Sequence, residues 1–453
     1  MRPQTHTYNS KAHIEYIENF TYTYAEPNCR EHSDKSIYCV RMPVIIQSDN
    51  KVWELGSVYI QSLLIEKSLT QSSIESTANA LLDYLRFIEH NDLDILHFPA
   101  SEPERVTYRY RAFLLSQIRQ SKKRPSTNNQ KIHKVVQFYK FCIKNKLFYK
   151  DSLRNLPYEE IEKRITFTTE VGVTKEKIVQ STNLSITVPR KHHSANTIKD
   201  GGVLHPLSDN EQNFVKQYLR DNASREFQLM CYLALYTGAR LQTVCTIRVH
   251  HIKSLKDKKT DPFDNTYTLE VGGNTTIDTK FGISNIIKIP IELVDELIKY
   301  TESKAWKDRA KLSYYGNTTN NYIFLTARGS SYYTSIQEIE DRRISQSLKG
   351  FKPKRGLSVS IHISQMLKKI NKEDIKINPF SFHDLRATFG LNTLKILIRN
   401  GFKPDTALMY LKERMGHRYI STTMRYLEYT EFSENVISAN TDLSEALNQF
   451  SDR

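Results

Sequence analysis

The chain has 453 residues, length for two or three domains, and a formal net charge of +15 with a pI near 9.3. That excess of positive charge points to a polyanionic partner, nucleic acid first, because such a surface attracts phosphates and displaces their counterions. No apolar run approaches the roughly 18 residues that cross a bilayer. The opening MRPQTHTYNSKAHIEY lacks the apolar stretch of a secretory leader. The five cysteines, Cys29, Cys39, Cys142, Cys231 and Cys245, form no CxxC pair and no metal-ligand spacing, so a reduced, cytoplasmic setting without metal is expected.

In chain order, residues 1–60 are expected to be a β-containing appendage. VRMPVII and KVWELGSVYI look like short strands around the turn QSDNK, serving either as a DNA-contacting element or as a brace. Residues 61–181 read mainly as helices. Ile74, Ala78, Leu81, Leu82, Leu85 and Ile88 recur at helical spacing behind a Ser72/Glu75 capping box. Val106, Tyr110, Phe113 and Leu114 mark a second helix. Ile132, Val135, Val136, Tyr139 and Ile143 mark a third, after the breaker Pro125. Basic residues cluster around them. Arg105, Arg109, Lys122, Lys123, Arg124, Lys131 and Lys134 are candidates for phosphate contacts, the alternative being a solvated charged face. The stretch 151–181 is polar and mixed.

Residues 182–206 lack periodicity and carry two prolines and a Gly pair, which predicts a linker. Arg190 and Lys191 within it are further DNA-contact candidates. Periodicity resumes at Leu207. Ser208 and Glu211 form a capping box, and EFQLMCYLALY is apolar nearly all round, as a core helix should be. A three-strand meander is expected from YTLEV, IDTK and NIIKIP, followed by helices near 291–300, 357–369, 383–398, 404–414 and 421–428. The segment 303–356 reads as a variable, partly looped insertion with YIFLT its one strand.

Four motifs stand in order: TGARLQTV with Arg240, IDTKFG with Lys280, FSFHDLRATFG with His383 and Arg386, and ERMGHRYISTTMRYLEY with His417 and Tyr426. On these residues the chain resembles the tyrosine recombinases of the phage-integrase family, strongly over 207–430 and weakly over 65–150. Each motif alone would be a weak signal; their order makes the combination specific. The resemblance implies a mainly α fold with a small antiparallel sheet (α+β). It implies a helical core-binding domain before a catalytic domain at 207–430, and a tail at 431–453 that could pack on a neighbouring protomer. Function would be site-specific cleavage and rejoining of double-stranded DNA, as a homotetramer, without cofactor, with accessory DNA-bending or directionality proteins possible.

The chemistry asks for these residue types independently. Attack of an oxygen nucleophile on a phosphodiester builds negative charge on the non-bridging oxygens, and two guanidinium forks can neutralise it; Arg240 and Arg386 are the choices. The resemblance implies Tyr426 as nucleophile, nine residues after His417, with Tyr429 the fallback among 26 tyrosines. It implies Lys280 as the acid that protonates the leaving oxygen, with Lys288 the competitor. His383 would take the tyrosine proton or orient the phosphate, and His417 would donate to a phosphate oxygen. Thr243 stands where the family often has an acidic residue. The stretch between Arg386 and His417 is longer than usual. A type IB topoisomerase, a telomere resolvase and an inactive DNA-binding accessory protein are the alternatives. Integration, excision, resolution and transposition all stay open.

Overall fold

The computed structural model describes residues 8–23, 36–120, 123–148, 155–168, 174–188, 197–262, 264–372 and 377–432. The chain divides into two compact units, residues 1–190 with 346–351, and residues 191–345 with 352–453.

The first unit begins with an antiparallel hairpin of β1 (His13–Thr23) and β2 (Ser36–Ile46), in register from His13↔Ile46 to Thr23↔Ser36. Residues 51–60 are not a strand. Only Val52 bridges back to Ile46, and α1 (Glu54–Ile65) starts immediately after. The buried positions Gly56, Tyr59, Ile60, Leu63 and Leu64 follow helical spacing, which outweighs the β-propensity of Val58 and Tyr59. Helix α2 (Gln71–His90) begins at Gln71, with Thr70 at the N-cap. Ser72 is therefore inside the first turn, and the Ser72/Glu75 capping box does not form.

Helices α3 (Val106–Arg119) and α4 (Pro125–Lys144) complete the bundle, with Pro125 at the first helical position, where its missing N–H is not needed. Hairpin and helices share one core. Cys39, Met42, Ile45 and Trp53 pack with Leu81, Tyr84, Tyr110, Val135 and Tyr139. Inside it the Tyr84 and Tyr139 hydroxyls are 2.7 Å apart, and Tyr110 donates to Asp83 at 2.7 Å. The polar stretch after α4 holds a second hairpin, β3 (Glu160–Thr168) with β4 (Thr174–Thr182).

The second unit opens on a small hairpin, β5 (Ile198–Lys199) and β6 (Val203–Leu204), inside the stretch read as linker. The linker's other end is packed as well, since Leu184 and Ile186 belong to the first unit's core. Helix α5 (Asp209–Asp221) carries the expected Ser208/Glu211 capping box. Helix α6 (Arg225–Thr237) is buried along most of its length and stops at Gly238, whose φ of 68° suits a residue without Cβ. Short helices α7 (Leu241–Thr246) and α8 (Val249–Lys253) follow.

The expected meander is a two-stranded sheet, β7 (Thr266–Val271) against β8 (Asn285–Pro290). IDTK is not a strand but part of the loop between them. Ile277 is fully buried there, and the Asp278 N–H donates to Thr246 Oγ1, so local anchoring replaces strand pairing. Then come α9 (Ile291–Glu302), α10 (Lys304–Lys311), α11 (Ile336–Ile344), α12 (Leu357–Ile370), α13 (Phe382–Arg399), α14 (Pro404–Met415) and α15, helical over 420–432.

The segment 303–356 carries two helices joined by loops, and part of it is buried. Ile323, Phe324 and Leu325 are fully buried, and Trp306 Nε1 donates to the Ile323 carbonyl at 2.9 Å, holding the segment in the main core. Among the described residues no helix is long and apolar enough to cross a membrane. Cys39, Cys142, Cys231 and Cys245 are buried and form no disulfide; Cys29 lies outside the described residues.

Candidate active site

Arg240, His383, Arg386 and His417 sit at or near the ends of helices, beside a common cleft. Arg240 is the N-cap of α7, just past the left-handed Gly238 that ends α6. His383 and Arg386 lie on the first turns of α13, whose start is fixed by a Ser381/Asp384 capping box. His417 follows Gly416, the left-handed cap of α14, and Tyr426 lies on α15. Lys280 is on a 3-10 turn in the β7–β8 loop. The cleft has a volume of about 560 Å³ and is lined by Lys199, Arg240, Lys280, Arg386, Arg414, Arg418 and Arg425; among the described residues, the one acidic residue lining it is Asp200.

Asp200 was not foreseen. It sits in the turn of the β5–β6 hairpin, inside the stretch read as linker, and is 3% exposed. Its carboxylate Oδ2 receives Arg386 Nε at 2.9 Å and the Tyr426 hydroxyl at 3.3 Å, and His417 Nε2 lies 3.1 Å away as an ion-pair contact without hydrogen-bond geometry. Arg240 Nη2 is 3.7 Å from Oδ1. The Asp200 carbonyl accepts from His383 Nε2 at 2.9 Å. The signal that could have found this residue is IKDGGVL, a Gly-containing turn between two β-branched ends, which reads as a hairpin as well as it reads as a linker.

Arg386 is nearly inaccessible. Besides Asp200 it binds the Gly238 carbonyl through Nη1 and the Met415 carbonyl through Nη2, each at 2.7 Å. One guanidinium thus ties the ends of α6 and α14 to α13. Tyr426 is fully buried, its ring against Gly390 of α13. Lys280 reaches the same place from the sheet. A Cβ built on Gly201 would lie 3.8 Å from its Nζ and 3.5 Å from His383 Nε2. Lys288, the competitor, is held by Asp261 at 2.6 Å and Asp264 at 3.1 Å, within the sheet's own ion pairs.

Electrostatics follow from burial and these contacts. Burial raises the Tyr426 phenol well above its ordinary value, and the neighbouring Asp200 carboxylate adds to the effect. Burial lowers both His383 and His417, against an opposing pull from Asp200. For Asp200 burial alone would raise the carboxyl, but His417 and Arg386 hold it well below the usual carboxylate range. As it stands, the site is a basic cluster with a carboxylate in it.

The proposed DNA contacts in the first unit fare unevenly. Arg109, Lys123 and Arg124 are exposed. Lys131 pairs with Asp83 at 2.8 Å, and Lys134 Nζ donates to Ser76 Oγ. Arg105 is not available to a phosphate. It is buried, with its guanidinium donating to the carbonyls of Pro99, Ala100 and Leu156. Arg105→Ala is expected to destabilise the chain by about 2–3 kcal/mol, through hydrogen bonds from a charged group left unmade, while moving DNA affinity less than twofold. A urea melt and a gel-shift titration check this. Lys122, Arg190 and Lys191 lie outside the described residues, as does the tail over 433–453.

A helical catalytic fold with a two-stranded sheet, in which two arginines, two histidines and a buried tyrosine meet, defines the class as a site-specific tyrosine recombinase, a DNA strand transferase. Residues 207–431 match the family model described as the Phage integrase family, and the chain belongs to that family. No curated protein matches it. Among solved structures it is similar to the Tn1549 transposon integrase in complex with circular intermediate DNA, at 12% identity and a TM-score of 0.44 over 82% of this chain and 94% of that one. It is also similar to the XerH site-specific recombinase bound to difH substrate, at 12% identity and a TM-score of 0.44 over 84% of each chain. A lambda integrase dimer bound to a core site matches at 12% identity and a TM-score of 0.43, over 82% of this chain and 94% of that one.

Proposed function

We propose that the chain cleaves one strand of duplex DNA by attack of the Tyr426 oxygen on the scissile phosphorus. The attack forms a 3′-phosphotyrosyl ester and releases a 5′-hydroxyl, and the reverse reaction with another strand's 5′-hydroxyl completes exchange. The ester retains the energy of the broken bond, so rejoining requires neither ATP nor metal. Arg240 and Arg386 hold the non-bridging oxygens and neutralise the charge that grows on them. His417 donates to the same group, His383 orients it or takes the phenol proton, and Lys280 protonates the departing oxygen. The observation that carries this reading is the convergence of Arg240, Arg386, His417 and Tyr426, from four separate elements, on one carboxylate.

The first unit is proposed as the core-binding domain, with Arg109, Lys123 and Arg124 as phosphate contacts, and 207–430 as the catalytic domain. The basic composition supports duplex DNA as partner. The family resemblance supports a homotetramer on two sites, acting in the cytoplasm.

A duplex containing the recognised sequence, nicked so that the cleaved end diffuses away, traps the ester. The expected result is a covalent adduct on a denaturing gel whose peptide maps to Tyr426. Tyr426→Phe should remove the adduct to below about 10⁻³ of wild type, since the nucleophile itself is gone, and Tyr429→Phe should retain it. An adduct that survives Tyr426→Phe overturns the assignment.

A further inference from the structure

The carboxylate of Asp200 stands where the reading above requires a phosphate. The Arg386 guanidinium, the His417 imidazole and the Tyr426 hydroxyl meet on its Oδ2, and Arg240 approaches Oδ1. A carboxylate and a phosphodiester each spread a single negative charge over two oxygens, and guanidinium forks bind both in the same manner. The two cannot be bound there together. A second anion beside a buried carboxylate would be repelled strongly, because a protein interior screens charge weakly.

The carrier of this carboxylate is a short hairpin whose ends, Ile198 and Leu204, are buried. The hairpin has only two residue pairs, Ile198↔Leu204 and Lys199↔Val203. Its turn continues through Gly201 and Gly202, both exposed, with Gly201 at a φ of 69°. Asp200 is thus a buried charge on an exposed turn. Among the described residues, the groups that face its carboxylate are Arg386, His417, Arg240 and the Tyr426 hydroxyl. The Asp200 carbonyl also occupies His383 Nε2, so the same turn covers both histidines.

We propose that Asp200 is an internal stand-in for the scissile phosphate. In the DNA-free protein it keeps Arg240, Arg386 and His417 assembled and the Tyr426 hydroxyl engaged. The Asp200–Gly202 turn withdraws when a phosphodiester takes its place. The assignment rests on the strand-transfer reading of the site. It makes Asp200 a competitor of DNA, which limits cleavage to a duplex gripped firmly enough to displace it. It is the opposite of a positioning role, in which an acid at this place would supply the support that Thr243 cannot.

The test uses the full chain and two readouts. The first is binding of inorganic phosphate, followed by the rise in melting temperature and by calorimetry, with no DNA present. Asp200→Asn and Asp200→Ala are expected to bind phosphate about tenfold more tightly than wild type, equivalent to about 1.4 kcal/mol, whereas Asp200→Glu, which keeps the charge, stays near wild type. The second readout is cleavage of the nicked duplex, where Asp200→Asn is expected to form the Tyr426 adduct about tenfold faster at limiting DNA.

Phosphate affinity unchanged in both neutral variants overturns the proposal. So does slower cleavage by a folded Asp200→Asn, which would make Asp200 a positioning residue. The strand-transfer reading fails separately, if wild type itself forms no adduct at Tyr426. Because phosphate-dependent melting is recorded only on folded protein, a variant that does not fold is replaced by the other neutral one.

Discussion

Arg386→Ala is expected to abolish cleavage and also to weaken the fold. The side chain is 3% exposed and joins three carriers, the Asp200 carboxylate, the Gly238 carbonyl and the Met415 carbonyl. Truncation leaves two buried carbonyls without a donor and a buried carboxylate short of a counter-charge, a change that costs roughly 3–5 kcal/mol when one partner of a buried pair is removed. Loss of one preorganised donor lowers cleavage by a further factor of about 10²–10³ in protein that remains folded. Arg386→Lys should not restore activity, because a single ammonium cannot reach both carbonyls and the anion.

Arg240→Ala separates the two effects. Its side chain is 31% exposed and its one ion pair is long, at 3.7 Å. Cleavage should fall by a similar factor, while stability changes less than in Arg386→Ala, because Asp200 keeps its closer partner Arg386 at 2.9 Å. A denaturant melt, single-turnover cleavage of the nicked duplex and a gel-shift titration measure the three quantities. DNA affinity should change little in either variant, because phosphate contacts spread over the whole duplex dominate it. Collapse of binding in step with cleavage would count against a chemical role for both arginines.

Gly390→Ala should misplace the nucleophile. A Cβ at position 390 would lie 2.5 Å from Tyr426 Cε1 and 2.7 Å from Met415 Sδ. Both neighbours are fully buried, so neither can rotate away into solvent. The ring or helix α13 must shift. Overpacking of this kind costs about 1–3 kcal/mol, and a displacement of about 1 Å at a reacting atom lowers rate by on the order of 10². The expected result is a folded protein, with a moderately lowered melting temperature, that binds DNA normally and forms the Tyr426 adduct about a hundredfold more slowly. Wild-type cleavage by Gly390→Ala would show that the tyrosine does not react from the position against α13.

Much of this site can be read along the chain because each motif couples a chemical residue to a local folding signal. Gly238 announces the end of α6, and Arg240 follows at the cap. The Ser381/Asp384 box starts α13 and puts His383 and Arg386 one turn apart on its first turns. Gly416 ends α14 immediately before His417. Turns and caps depend on a few neighbouring residues, so they survive translation from sequence to structure. Helices with an apolar stripe, such as α2 and α4, were recognisable for the same reason.

The short apolar run of the N-terminal helix α1 fits both the strand and the helix period, and only packing against β2 and α2 decides between them. The β3–β4 hairpin was missed because its polar stretch offers no alternation of buried and exposed positions to detect. The loop that carries Lys280 was misread as a strand because the burial of Ile277 and the bond from Asp278 to Thr246, which shape it, are long-range. Asp200 shows the division most clearly. Its neighbours allow a turn, but what gives its carboxylate a meaning is the arrival of Arg240, Arg386, His417 and Tyr426 from 40 or more positions downstream. Local rules settle which residues cap, turn and line a face. Which charges finally meet is settled by how the helices pack, since burial makes an unmatched charge too costly to leave alone.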